Sequence, residues 1–186
     1  MKEELTNEMR DAIFADDLEH IKNLIEKNKN LINAVTDFGS FLHDAAGNGK
    51  YEIVKYFIDN GFDVNLKAGF LNANALTEAA SEGYMDIVAL LHESGAILDT
   101  STFAANPLFA AIYDRHTDIA KYLIDQGIDL AAAYHIGKIE NCDALEYARQ
   151  YGQMEIYDYI KESLHKRLSP QKISISEELN LIRVSG

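Results

Sequence analysis

Leu42-His43-Asp44-Ala45-Ala46-Gly47-Asn48-Gly49 decides the fold, because the chain says it again. It returns as Leu76-Thr77-Glu78-Ala79-Ala80-Ser81-Glu82-Gly83 after 34 residues and as Leu108-Phe109-Ala110-Ala111-Ile112-Tyr113-Asp114-Arg115 after 32 more. A further copy, Leu145-Glu146-Tyr147-Ala148-Arg149-Gln150-Tyr151-Gly152, follows after 37. A second phrase trails the first three. Glu52-Ile53-Val54-Lys55-Tyr56-Phe57-Ile58-Asp59-Asn60-Gly61 is matched by Asp86-Ile87-Val88-Ala89-Leu90-Leu91-His92-Glu93-Ser94-Gly95 and by Asp118-Ile119-Ala120-Lys121-Tyr122-Leu123-Ile124-Asp125-Gln126-Gly127. Upstream, Asp11-Ala12-Ile13 and Glu19-His20-Ile21-Lys22-Asn23-Leu24-Ile25 form a degenerate first copy, with Asp16 and Asn28 where the others have turn glycines. A fixed period of this length marks a stack of small units.

One unit can be read from its own chemistry. Leu42 and Ala45 share a helical face, and the Ala45-Ala46 pair leaves room for a neighbouring helix. Gly49 ends that short helix, since the position after a helix favours left-handed backbone. A second helix starts near Tyr51 with Glu52 in its first turn, where the dipole favours an acid. Ile53, Val54, Phe57 and Ile58 supply an apolar stripe at helical spacing. No unit buries such a stripe alone, so the units stack.

The Leu-His-x-Ala-Ala-x-x-Gly run and the Glu-Ile-Val … Gly61-Phe62-Asp63-Val64-Asn65 run resemble ankyrin repeats. The family's Thr-Pro before the leucine survives only as Asn106-Pro107; elsewhere it is Ser40-Phe41, Asn74-Ala75 and Asp143-Ala144. The resemblance implies an all-α solenoid of about five helix-turn-helix units with projecting hairpin-like loops. The units run approximately 5–33, 36–66, 70–99, 102–131 and 140–165, followed by a short C-terminal tail, 166–186. Within the tail, Lys172-Ile173-Ser174-Ile175-Ser176 alternates like a strand, and Glu177 to Ile182 reads as helical.

Composition narrows the function classes. Of 186 residues, 30 are acidic and 17 basic, a formal net charge of −13. Free nucleic acid is thereby excluded, since nothing would neutralise its phosphates. One cysteine, Cys142, precludes an internal disulfide framework. The first residues, Met1-Lys2-Glu3-Glu4-Leu5-Thr6-Asn7-Glu8, carry acids where a secretion signal needs an apolar run, and no stretch approaches the roughly 20 apolar residues of a membrane span. The expectation is a cytoplasmic protein, monomeric when free, with no membrane or nucleic-acid partner.

Catalytic motifs fail on inspection. Gly47-Asn48-Gly49-Lys50 lacks the first glycine of a phosphate loop, Asp44 standing there, and Tyr51 follows the lysine. His92-Glu93 would need a histidine at Ala96 to make a zinc-protease helix. His43 fills the histidine slot of the ankyrin phrase, which by resemblance bonds between loops. No cofactor, metal site or catalytic residue is expected, and the protein is read as a non-enzyme.

By the same resemblance, partners meet the loop tips and the inner helix face. The variable pairs before each stop position are Gly47-Asn48, Ser81-Glu82, Tyr113-Asp114 and Gln150-Tyr151, with Phe14-Ala15 in the first unit. Loop tips add Phe38, Phe70, Leu71 and Phe103, and the long loop 131–143 adds Tyr134, His135 and Ile136. Aromatics at such tips either anchor an interface or fold inward over the loop bases; for Phe38 the inward reading is favoured. Acids line up as well. Between Lys67 and Arg115 there is no Lys or Arg, and the residue before the first alanine is Asp11, Asp44 and Glu78 in successive units. Either this is a solvated surface or an electronegative face for a basic partner.

The candidate partner-binding residues are therefore Phe14, Asp44, Asn48, Phe70, Glu78, Ser81, Glu82, Phe103, Tyr113, Asp114, Tyr134, His135, Gln150 and Tyr151. The expected function is a protein-binding module for a basic protein. Stand-alone ankyrin arrays of this length also resemble bacterial immunity proteins, which cover a toxin's active site; a general adaptor is the other reading.

Overall fold

The computed structural model describes residues 2–168, so the strand-like and helical expectations for 172–182 lie outside the described residues. Helices come in pairs: α1 (Lys2–Phe14) with α2 (Leu18–Lys27), α3 (Phe41–Gly47) with α4 (Tyr51–Asp59), α5 (Ala75–Glu82) with α6 (Met85–Glu93), α7 (Pro107–Tyr113) with α8 (Thr117–Asp125), and α9 (Ala144–Gln150) with α10 (Met154–Leu168). The odd helices pack in series, α1 on α3 on α5 on α7 on α9, and α4, α6, α8 and α10 form a parallel outer row.

The side chain just before each inner helix starts it. Asn74 accepts from the Thr77 amide, Asn106 from Leu108 and Phe109, and Asp143 from Glu146. Ser40 makes a reciprocal cap with His43. Each cap contributes about 1 kcal/mol, and Pro107 adds a preset φ at the first turn of α7. The family's threonine slot is thus still occupied by capping residues.

The apolar stripe is buried as its spacing requires. Ile53, Val54 and Phe57 of α4, Ile87, Val88 and Leu91 of α6, and Ile119, Ala120 and Leu123 of α8 are fully enclosed between the rows. Each large one contributes roughly 1.5–3 kcal/mol. Small residues in the inner row, Ala45, Ala46, Ala79, Ala80 and Ala111, have no exposed surface, which lets those helices approach closely.

Two hydrogen-bond staples tie successive units. His43 Nε2 reaches the Ala73 carbonyl at 3.0 Å, while Nδ1 lies 2.8 Å from Ser40 Oγ. The proton therefore sits on Nε2, and burial lowers the imidazole pKa. At the same register Thr77 Oγ1 donates to the Ala105 carbonyl at 2.9 Å. Asn65 does similar work behind the loops, donating to Gly95 and accepting from Ile97. The fourth unit has Phe109 at the staple position, and there rings replace the hydrogen bond.

The turn between paired helices needs positive φ. Gly83 has φ +87°, and a Cβ there would stand 2.5 Å from the His116 ring of the next unit. Gly49 is covered in the same way by Tyr84. Asp16 and Arg115 adopt positive φ without being glycine, at 59° and 66°. Asn28 does not: it has φ −140° and leads into a 3-10 turn, Lys29–Asn33, so the first unit departs there from the glycine turn of the others.

The projecting loops are only partly strands. β1 (Val35–Thr36) pairs with β2 (Gly39–Ser40), and β3 (Tyr134–Ile136) pairs with β4 (Ile139–Cys142) through a bulge. Between them, residues 68–73 close with a single bridge, and residues 99–105 are a turn without strand pairing. At the far end α10 continues through Lys166 and Arg167, whose guanidinium donates to the Ile124 and Ile128 carbonyls at the end of α8.

Candidate functional site

One register position governs the inner face. The residue before the alanine that recurs in each inner helix is Asp44 in α3, Glu78 in α5, Ala110 in α7 and Tyr147 in α9. Because the odd helices stack in series, this position runs from acid to apolar along the array. Two adjacent depressions record the change.

The first, about 510 Å³, is lined by Asp44, Asn48, Glu78 and Glu82 between loop tips carrying Phe38, Phe70 and Leu71. Glu78 is half-buried, and its pKa is raised by burial, then by the charges of Glu82 and Asp44. A carboxylate in this state gains from an arriving cation, which replaces lost water and offsets its neighbours. Asp44 is different. Arg10 Nε donates to it at 2.9 Å, while Arg10 Nη2 reaches Thr36 Oγ1 at 2.6 Å. Asp11 lies elsewhere, in a separate depression with Glu8, Asp17 and His20. The expected ladder of Asp11, Asp44 and Glu78 is therefore broken: α1 supplies a base that neutralises its second rung, leaving Glu78 and Glu82 as the free negative charge of the slot.

The second depression, about 390 Å³, holds Phe103, Phe109, Ala110, Tyr113, Tyr147, Tyr151 and Ile136, with Ser81 and Asp114 on its rim. Its floor is a row of rings: Phe109 stacks on Tyr147 at 4.5 Å and 24°, and Tyr147 meets Tyr151 tilted by 45° at 4.5 Å. Tyr113 meets Tyr151 edge-on at 5.2 Å, and Phe103 meets Phe109 at 5.7 Å. Edge-to-face and offset pairs hold such rings rigidly. Burial pushes the Tyr147 phenol far up, so it stays neutral. Ser81 Oγ donates to Asp114 at 2.7 Å, fixing a carboxylate at the border. Leu71 belongs to both depressions.

The sequence-selected residues divide accordingly. Asp44, Asn48, Phe70, Glu78 and Glu82 line the acidic slot, and Ser81, Phe103, Tyr113, Asp114 and Tyr151 the aromatic one. Phe70 is 81% exposed and Tyr113 57%. Phe38 does not fold inward; it is 58% exposed, with its ring edge-on to Phe70 at 5.6 Å and under the Arg10 guanidinium at 4.6 Å. Four residues lie outside both slots. Phe14 is exposed at the end of α1, and His135 is exposed on β3. Gln150 donates to Glu146. Tyr134 is held from within: its hydroxyl donates to the Thr100 carbonyl and accepts from Asn106, and its ring packs on Phe109. It braces the long loop from inside, because a half-buried phenol must find partners.

Phe109 and Tyr147 were not among the selected residues. Both lay within the repeated phrase as departures from it, aromatic where other units have His43 or Thr77 and Asp44 or Glu78. That substitution was the available signal.

Cys142 is buried and its thiol pKa raised, chiefly by burial, which suits packing rather than reactivity. Among the described residues no group of His, Cys, Asp or Glu is arranged to hold a metal, and no helix is long and apolar enough to cross a membrane.

The stacked helix pairs agree with comparison by sequence: the family model for ankyrin repeats (3 copies) matches residues 9–102 and again 76–169. The chain belongs to the ankyrin repeat family. It is similar to an ankyrin repeat protein of Rickettsia felis, at 30% identity over 126 residues, covering 62% of this chain and 56% of that protein. It is also similar to a fem-1 homolog A-like protein of Mus musculus, at 33% over 78 residues, 42% of this chain and 12% of the relative. A third relative is palmitoyltransferase AKR1 of Lachancea kluyveri, at 36% over 100 residues, 51% of this chain and 13% of that protein. This ankyrin array thus spans little more than half of the first relative and about an eighth of the other two. Ankyrin repeats as a class imply protein–protein interaction.

Proposed function

We propose that this ankyrin array is a non-catalytic cytoplasmic module whose inner face docks a basic protein. The observation that carries the reading is the pairing of the Glu78–Glu82 slot with a run, from residue 68 to residue 114, that contains no lysine or arginine. Opposite charge across such a face steers encounter and disfavours acidic competitors. In its narrower form the protein is an immunity protein that covers the active site of a basic toxin, since an acidic surface can occupy a site built for phosphates. A general adaptor is the alternative, and alignment with segments of much larger proteins favours it.

The test is affinity capture from the native host on the full chain and on the Glu78→Gln/Glu82→Gln variant, at low and high salt. A basic protein captured by the parent, released by salt and lost from the variant is the expected result. A partner retained equally by both would overturn the electrostatic face. The immunity form fails if the captured protein is not toxic when expressed alone.

A further inference from the structure

The acidic slot and the aromatic slot are neighbours with one wall in common, Leu71, and they call for different side chains. The aromatic slot is the more specific feature. It is open to solvent yet floored by rings already locked on one another, with Tyr113, Phe103 and Tyr151 still 57%, 39% and 37% exposed at its edge. Its volume lies near the lower end of ligand pockets, which run from about 300 Å³. A polar segment would strip water from these rings without return; a large apolar side chain gains from them. Charge decides what stands beside that side chain. The border carboxylate Asp114 and the neighbouring Glu78 and Glu82 exclude an acidic segment and reward a cation.

We propose that the inner face reads one extended peptide segment of a basic partner, a lysine or arginine entering the Glu78–Glu82 slot and a large apolar or aromatic side chain entering the slot of Phe103, Tyr113 and Tyr151. The spacing follows from the stack. The acidic slot lies between α3 and α5 and the aromatic one over α7 and α9, about two interhelix distances of roughly 8–10 Å apart. An extended chain covers that in about five residues. The proposal deepens the basic-partner reading and rests on it.

The experiment pans a phage-displayed library of short random peptides on the full chain, on Glu78→Gln/Glu82→Gln and on Ala110→Leu. Ala110 lines the aromatic slot and is only part-buried, so leucine fills the slot while leaving the ring stack in place. Tyr113→Ala is the companion variant, and urea unfolding of each verifies that it folds. The parent should enrich peptides pairing Lys or Arg with a large apolar residue at one preferred spacing near five. Synthetic copies should bind at least tenfold more weakly to Ala110→Leu and Tyr113→Ala, and the carboxamide variant should lose the basic residue from its enriched set. Enriched basic peptides without the apolar partner, equally bound by Ala110→Leu, would overturn the two-slot inference and leave the acidic face standing. No enrichment of basic peptides at all would overturn both. Light scattering supplies a further arm: a parent that dimerises, and loses the dimer in Ala110→Leu, would assign the slot to a second copy and refute a peptide partner.

Discussion

Arg10 decides how much of the inner face's charge is free to meet a partner, and removing it has a calculable cost. Its guanidinium bonds Asp44 and Thr36 at once, with side-chain exposures of only 16% for Arg10 and 12% for Asp44. A charge-assisted hydrogen bond in such a position contributes about 1.5–3 kcal/mol, and the cation over the Phe38 ring adds about 0.5. Arg10→Ala should therefore cost about 2–3 kcal/mol, because it strands a half-buried carboxylate beside Glu78 and Glu82. Asp44→Ala strands less, since Arg10 keeps Thr36, and should cost about 1 kcal/mol. The double variant should fall short of the sum by about 1–2 kcal/mol.

Urea unfolding of the full chain at constant m reads all three. The pH dependence has a definite sign. Burial raises the Asp44 pKa and Arg10 holds it down, so loss of Arg10 raises it further. The folded state then takes up the proton before the unfolded state does, and protonation relieves the penalty. Arg10→Ala should regain stability, relative to the double variant, as pH falls through the raised Asp44 pKa. Additivity within about 0.5 kcal/mol, or a gap that widens on acidification, would refute the pairing and return Asp44 to the set of partner-facing acids.

Two further outcomes follow from the stack. Gly83→Ala and Gly95→Ala both place a side chain at positive φ, a cost of about 1–2 kcal/mol, but only Gly83 also drives a Cβ into His116 and its 2.9 Å bond to the Ser81 carbonyl. Chemical denaturation should find Gly83→Ala worse by about 1 kcal/mol or more, and equal losses would discount the close approach. His43, neutral in the fold with its pKa lowered by burial, should make the array less stable as pH drops below the ordinary 6.5, where the unfolded chain takes the proton first. Unfolding midpoints of the parent and His43→Gln should diverge at neutral pH and converge on acidification; parallel curves would refute the lowered pKa of the buried imidazole.

The repeats themselves were legible in the sequence because helix and turn formation are local. Period, glycine stops and apolar stripes involve residues within a few positions of one another, and the unit order leaves only one way to bury them. Even the shift from Asp44 and Glu78 to Ala110 and Tyr147 was written in the aligned phrases. The aromatic slot was half legible: Phe103 stood out at a loop tip and Tyr113 and Tyr151 at variable positions, but nothing local couples Tyr113 to Tyr151, 38 residues on. What only the tertiary structure decided is where charge is cancelled and where rings meet. Arg10 lies 34 residues from Asp44, one repeat period, which makes their helices neighbours without saying that base and acid pair; Tyr134 lies 28 from Asn106, off the period altogether. Stacking brings them together, turning one acid into an internal partner and one loop tyrosine into a brace, because pairing and burial depend on which side chains meet in space, whereas the period reports only which units are neighbours.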